Sequence, residues 1–138
     1  LPLRFKQHQE NAEKVADYLS NKKGVTQVIH PKYQQGVNKE RAKKYLEDGS
    51  GPLVGFELSG GLDAGKKFID NLQLLYHVAN IGDARSLAIH PASTTHSQLN
   101  AEDQLRSGVT PGYIRLSVGI ENIEDIINDI DQAIDKAK

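Results

Sequence analysis

Ile123, Ile126, Ile127, Ile130, Ala133, Ile134 and Ala137 recur at helical spacing through a C-terminal stretch that is otherwise charged or amide-bearing. A helix with one such stripe is stable in water only when the stripe lies against another apolar surface. The rest of the chain must therefore build that surface. Residues Tyr113 to Val118 supply part of it: Ile114, Leu116 and Val118 point to one side of a strand, while Tyr113, Arg115 and Ser117 point to the other. Asn122 and Asp125 read as a cap pair opening the last helix.

Upstream, Phe5, His8, Ala12, Val15, Ala16 and Leu19 share one face of an opening helix that runs to about Asn21 and is closed by Gly24. Val25 to Ile29 follows as a strand, and Pro31 to Val37 as a loop. Asn38 is the expected cap of a short basic helix, which ends before the turn at Asp48 to Pro52. Leu53 to Leu58 alternates as a strand and stops at Gly60-Gly61. A helix from near Leu62 buries Gly65, Phe68, Ile69 and Leu72; Leu74 to Ala79 and Ser86 to Ile89 then read as strands. His90 to Gln98 is a polar loop, and Asn100 with Asp103 caps a brief helix.

Two strands in succession interrupt the helix–strand alternation, which argues against a continuous parallel sheet. The expected fold is α+β: a two-layer sandwich of a small, mostly antiparallel sheet with helices on one face, forming one domain over residues 1–138. At 138 residues and 38% hydrophobic composition the chain can bury a core without disulfides or metal, and it has no cysteine. Seventeen Lys+Arg against eighteen Asp+Glu give a formal charge of -1, far from the basic balance of a nucleic-acid binder. No apolar run approaches the ~18 residues of a membrane span, and no signal-peptide order is visible, so a cytoplasmic location is expected. The chain begins at Leu1 and has no methionine, which suggests a piece of something longer.

Few residues stand out chemically. His90 and His96 with Asp83 or Glu102 lack the convergent spacing of a zinc site, and no nucleophile-elbow pattern accompanies the serines. Gly60-Gly61 reads as a turn, and Lys39, Arg41, Lys43 and Lys44 as a solvated helix face diluted by Glu40, Glu47 and Asp48. Arg115 is different, because a guanidinium in mid-strand must snorkel, pair with an acid or meet an anionic ligand.

The blocks NIGDARSL (80–87), HPASTTHSQL (90–99) and RLSVGIE (115–121), with Gly108-Val109-Thr110-Pro111 between them, resemble the C-terminal domain of the Cys/Met-metabolism family of pyridoxal-phosphate enzymes. Within that family the O-acetylhomoserine sulfhydrylase branch is the nearest in these blocks. The resemblance implies a parent transferase that exchanges the acetoxy group of O-acetyl-L-homoserine for sulfide, giving homocysteine and acetate. It implies that residues 1–22 form the helix leaving an N-terminal cofactor-binding domain, and that the parent is a homo-oligomer. Family enzymes hold the cofactor on a lysine in a Ser-x-x-Thr-Lys context; none of the lysines here has one, so no catalytic residue and no tight cofactor binding is expected of this chain.

Three substrate-site residues follow from the same resemblance. Arg115 matches the arginine that pairs with the substrate α-carboxylate, and Thr95 a hydroxyl that supports it. Asn80 stands where sister lyases carry a substrate-facing serine; an amide retains the backbone contact without the hydroxyl. Arg85 stands where sister lyases often carry an acid, which points away from the lyase branch. The element order alone also accommodates a stand-alone ferredoxin-like module that binds a small-molecule regulator, or an interaction domain.

Overall fold

A computed structural model describes all of residues 1–138. Its elements run α1 (Pro2–Asn21), β1 (Val25–Ile29), α2 (Gly36–Tyr45), β2 (Leu53–Leu58), α3 (Gly61–Asp70), β3 (Tyr76–His77), β4 (Leu87–Ile89), α4 (Ala101–Arg106), β5 (Tyr113–Ser117) and α5 (Ile123–Ala137). Short 3-10 turns occupy Pro31–Tyr33 and Pro91–Ser93. The strands form one five-stranded sheet in the order β1-β2-β5-β4-β3. Every neighbouring pair is antiparallel except β3 with β4, which is parallel. The expected α+β sandwich is present.

The alternation of β2 and β5 decides which face is covered. Val54, Phe56 and Leu58 pack with Ile114, Leu116 and Val118 beneath α1, α3 and α5. Phe56 meets Phe68 edge-to-face at 5.4 Å, the geometry favoured by aromatic quadrupoles. The isoleucine stripe of α5 is buried there, as its spacing requires. Phe5 departs from the expected stripe of α1: it is exposed, and Asn11 is buried in the same helix. Asn11 donates to the carbonyls of Gly119 and Glu121 at 3.1 and 3.0 Å, and His8 Nδ1 donates to the Val118 carbonyl at 2.7 Å. Polar anchoring of α1 to the end of β5 thus replaces apolar contact.

Four boundaries differ from expectation for identifiable reasons. The expected strand at Leu74–Ala79 shrinks to Tyr76–His77, because the Asp129 carboxylate takes the N–H groups of Gln73, Leu74 and Leu75 that a ladder would need. Ser86 stands outside β4 because its N–H goes to the Glu121 carboxylate. The basic helix starts at Gly36, whose φ of 56° turns the chain sharply, so Asn38 lies inside the first turn and is not the cap. The Asn122 cap accepts from Glu124 N–H, without a reciprocal bond from Asp125. Asn100 does accept from Asp103 N–H at 2.9 Å, as expected.

On the outer edge of the helical layer, Tyr18 of α1 and Lys22, just past its C-terminus, meet Asp131 of α5, and Lys22 also reaches Asp135 at 2.9 Å. Burial, helped by Asp131, pushes the Tyr18 hydroxyl up to about 12. Asp131 likewise holds the Lys22 ammonium above the usual lysine range. An unfolded tyrosine releases its proton near 10.0, so from there to about 12 the folded chain binds more protons than the unfolded one. Stability is therefore full below the unfolded value and falls as pH rises through that window. Urea titrations across it should show a shallower alkaline decline for Tyr18→Phe than for the parent. Equal slopes would remove Tyr18 from the linkage.

Candidate functional site

The uncovered face of the sheet carries the side chains left over from core formation, and β5 places Arg115 at its centre. Arg115 lies opposite Gly55 on β2 and Ile89 on β4. Gly55 is needed here: a Cβ at that position would sit 2.7 Å from the Tyr113 ring, which lies across it beside Arg115. Between this face and α2 runs a groove of about 640 Å³, walled by Ile29, Gly55 and Tyr113 on one side and Arg41 and Tyr45 on the other. Arg115 and Arg41 both line it, and no carboxylate does. Burial raises the Tyr113 hydroxyl above the usual phenol range while the Arg115 charge opposes the shift.

The guanidinium is only partly engaged. Its Nη2 donates to the Asn80 carbonyl at 3.3 Å, and its buried Nε has no partner. A cation with free donors, set in a groove free of acids, is suited to accept a carboxylate through two parallel N–H bonds. Asn80 itself is exposed, and its side-chain oxygen accepts the Ile81 N–H at 2.9 Å. Thus Asn80 meets Arg115 through its backbone, with the amide turned to its own loop. Thr95 is exposed; its hydroxyl pairs with His96 Nδ1 at 2.8 Å and shares no hydrogen bond with Arg115. Of the three sequence-derived site residues, the fold joins Arg115 and Asn80 directly.

Sequence reasoning passed over how Asn80 is held. From Asn80 to Ser86 the chain runs alongside β5 and its continuation, and alternate residues are bonded to it. Gly82 N–H donates to Ser117 Oγ at 3.0 Å, the Ala84 carbonyl accepts Ile120 N–H at 2.9 Å, and Ser86 gives its N–H and hydroxyl to Glu121 at 2.6 and 2.8 Å. On the other side of Arg115, Glu57 accepts Gly112 N–H at 3.1 Å and the Thr110 hydroxyl, fixing the turn that leads into β5. The alternation of β5 exposes Ser117 to such contacts, but nothing local in the sequence names its partner.

His90 has a structural role. It is fully buried: Nε2 donates to the Pro111 carbonyl at 2.6 Å and Nδ1 accepts from Ser93 Oγ at 2.8 Å. Burial holds its pKa below the ordinary value. With Nε2 spent on a carbonyl and no acid bonded to the ring, this serine–histidine pair is not a nucleophilic dyad. No three His, Cys, Asp or Glu side chains converge as a metal site. No helix is long and apolar enough to cross a membrane. No lysine lines the groove beside Arg115, so the chain's own side chains there do not fit the imine attachment of pyridoxal phosphate.

Comparison with known proteins places this geometry. The family of Cys/Met metabolism PLP-dependent enzymes matches residues 1–135. An O-acetyl-L-homoserine sulfhydrylase of Leptospira meyeri is 53% identical over 135 residues, covering 97% of this chain and 30% of the relative. An L-methionine gamma-lyase of Fusobacterium nucleatum is 40% identical over 134 residues, covering 97% of this chain and 34% of the relative. A crystal structure from Campylobacter jejuni, described as an O-acetylhomoserine (thiol)-lyase bearing a pyridoxyl-lysine monophosphate, superposes with a TM-score of 0.89 at 39% identity; the match covers 97% of this chain and 32% of that one. The chain thus spans about a third of the length of these relatives. These likenesses favour an enzyme domain over a stand-alone ferredoxin-like regulatory module, and the chain belongs to the Cys/Met metabolism family of PLP-dependent enzymes.

Proposed function

We propose that residues 1–138 are the C-terminal, substrate-side domain of a longer O-acetyl-L-homoserine sulfhydrylase, which converts O-acetyl-L-homoserine and sulfide to L-homocysteine and acetate. The observation that carries this reading is Arg115, a half-engaged guanidinium in a groove without acids, in a chain 53% identical to a sulfhydrylase. Arg115 binds the α-carboxylate of the amino-acid substrate, and the Asn80 backbone helps hold the guanidinium; Thr95 is assigned to the substrate site by the family resemblance alone. Two parallel N–H bonds fix both the position and the tilt of the substrate backbone. Pyridoxal phosphate supplies the electron-sink chemistry when bound, and in this reading its lysine and phosphate site belong to a larger N-terminal domain joined through α1. The homo-oligomeric contacts of the parent lie mainly in that domain.

The assay is direct. The longer enzyme, supplied with pyridoxal phosphate, O-acetyl-L-homoserine and sulfide, should release homocysteine and acetate, and residues 1–138 alone should release neither. Faster elimination from methionine than sulfhydrylation would assign the enzyme to lyase chemistry instead. Turnover by the isolated chain would overturn the domain reading.

A further inference from the structure

We propose that Ser117 is a positioning residue for the carboxylate site: by accepting the Gly82 N–H it keeps Asn80 in register with Arg115, and so fixes the plane of the guanidinium. This rests on the carboxylate reading of Arg115 given above.

Two equal offsets lead to it. Ser117 lies two residues beyond Arg115 on the same face of β5, and Gly82 lies two residues beyond Asn80 in the segment running beside it. Because both stretches run in the same direction, the Ser117–Gly82 bond sets where the Asn80 carbonyl falls. The strengths of the two bonds show which governs which. Arg115 to Asn80 is long, at 3.3 Å, and exposed, so it cannot hold the segment in place by itself. Ser117 to Gly82 is shorter, at 3.0 Å, and part-buried, with Ser117 only 1% exposed. A buried hydroxyl flanked by Leu116 and Val118 and opposite Leu87 and Leu53 is an uncommon choice unless it has a partner.

The segment also needs a tether. Gly82 has φ +74°, which glycine adopts about as readily as a negative φ, so the residue does not by itself fix the path of the chain, and Ile81 is exposed. The Asp83–Arg85 pair is local and solvent-facing. The Glu121–Ser86 bonds hold the far end of the segment, leaving Ser117 as the nearest tertiary anchor to Asn80. Without it, the Asn80 carbonyl no longer occupies one guanidinium N–H. Arg115 then samples several rotamers, and substrate binding must bear the cost of ordering it.

The test is a double-mutant cycle in the longer holoenzyme, with cofactor content checked by absorbance. Ser117→Ala should raise KM for O-acetyl-L-homoserine about five- to tenfold with kcat changed less than about twofold, the size of one lost hydrogen bond. Ser117→Thr, which keeps the hydroxyl, should retain the lower KM. In an Arg115→Ala background the Ser117→Ala effect should vanish, because the guanidinium it positions is gone. Hydrogen exchange of the 80–86 peptide, read without turnover, should quicken in Ser117→Ala. Normal KM in Ser117→Ala while Arg115→Ala is impaired would overturn the positioning role alone. A KM rise of equal size in both backgrounds would reduce Ser117 to a structural residue. Unimpaired Arg115→Ala would remove the carboxylate reading, and this inference with it.

Discussion

Under the proposed function, Arg115→Ala in the longer enzyme should lower kcat/KM for O-acetyl-L-homoserine by about two to three orders of magnitude, with thermal stability and cofactor content close to the parent's. The size follows from truncating one partner of a desolvated charge pair, which costs about 2–5 kcal/mol. The fold survives because β5 holds its place through Ile114, Leu116 and Val118, which point into the core away from Arg115. The groove gains volume, and the only protein hydrogen bond lost from the side chain is the 3.3 Å contact to Asn80. Arg115→Lys should recover only part of the loss, since one ammonium cannot present two parallel donors to a carboxylate. An amine substrate analogue lacking the α-carboxylate should discriminate poorly between parent and variant. Steady-state kinetics with matched active-site titration decides the matter. A variant within threefold of the parent, as an order-of-magnitude bound on kinetic scatter, would return Arg115 to a surface role.

What the sequence disclosed about this site divides along a physical line. Arg115 was legible because strand alternation is a local rule: once Ile114, Leu116 and Val118 are assigned to the core, the guanidinium must face the other way. The α5 stripe and the Asn100 cap were legible for the same reason, since each is set within a few residues. The opposite holds for side chains that replace a ladder from a distance. Asp129 takes three N–H groups more than fifty residues away and so shortens β3, and Glu121 takes the N–H of Ser86 and so delays β4. Neither acid differs locally from a solvated one. Resemblance supplied Asn80 and Thr95 where periodicity could not, because both lie in irregular segments. The geometry gives Asn80 a backbone contact with Arg115 and Thr95 a hydrogen bond to its neighbour His96. Arg41, the second cation of the groove, hid among basic residues of a helix that buries none of its side chains.

Asp129→Ala should cost about 3–5 kcal/mol of folding stability, the largest single-residue effect expected outside the apolar core. The carboxylate of Asp129 projects from α5 and accepts Gln73 N–H through Oδ1 at 2.8 Å, and Leu74 and Leu75 N–H through Oδ2 at 2.8 and 2.9 Å. Gln132 Nε2 adds a donor to Oδ1 at 3.1 Å. Truncation leaves three backbone donors without their acceptor in a turn where Leu75 is buried, and water can reach Gln73 and Leu74 more easily than Leu75. That uneven rescue keeps the loss below the sum of three charge-assisted bonds. Asp129→Asn should fall between parent and Ala: its single oxygen can serve Leu74 and Leu75, but its amide then confronts the Gln73 N–H donor-to-donor. Urea unfolding of residues 1–138 should rank the three in that order. The defect should also travel, because the same turn feeds β3 and, through it, the segment that brings Asn80 to Arg115. Hydrogen exchange should therefore quicken from Gln73 through Gly82 in Asp129→Ala before global unfolding begins, while α1 and β1 stay protected. A loss below about 1 kcal/mol, the net size of a single ordinary hydrogen bond, would mean that solvent replaces the carboxylate and that β3 is short for another reason.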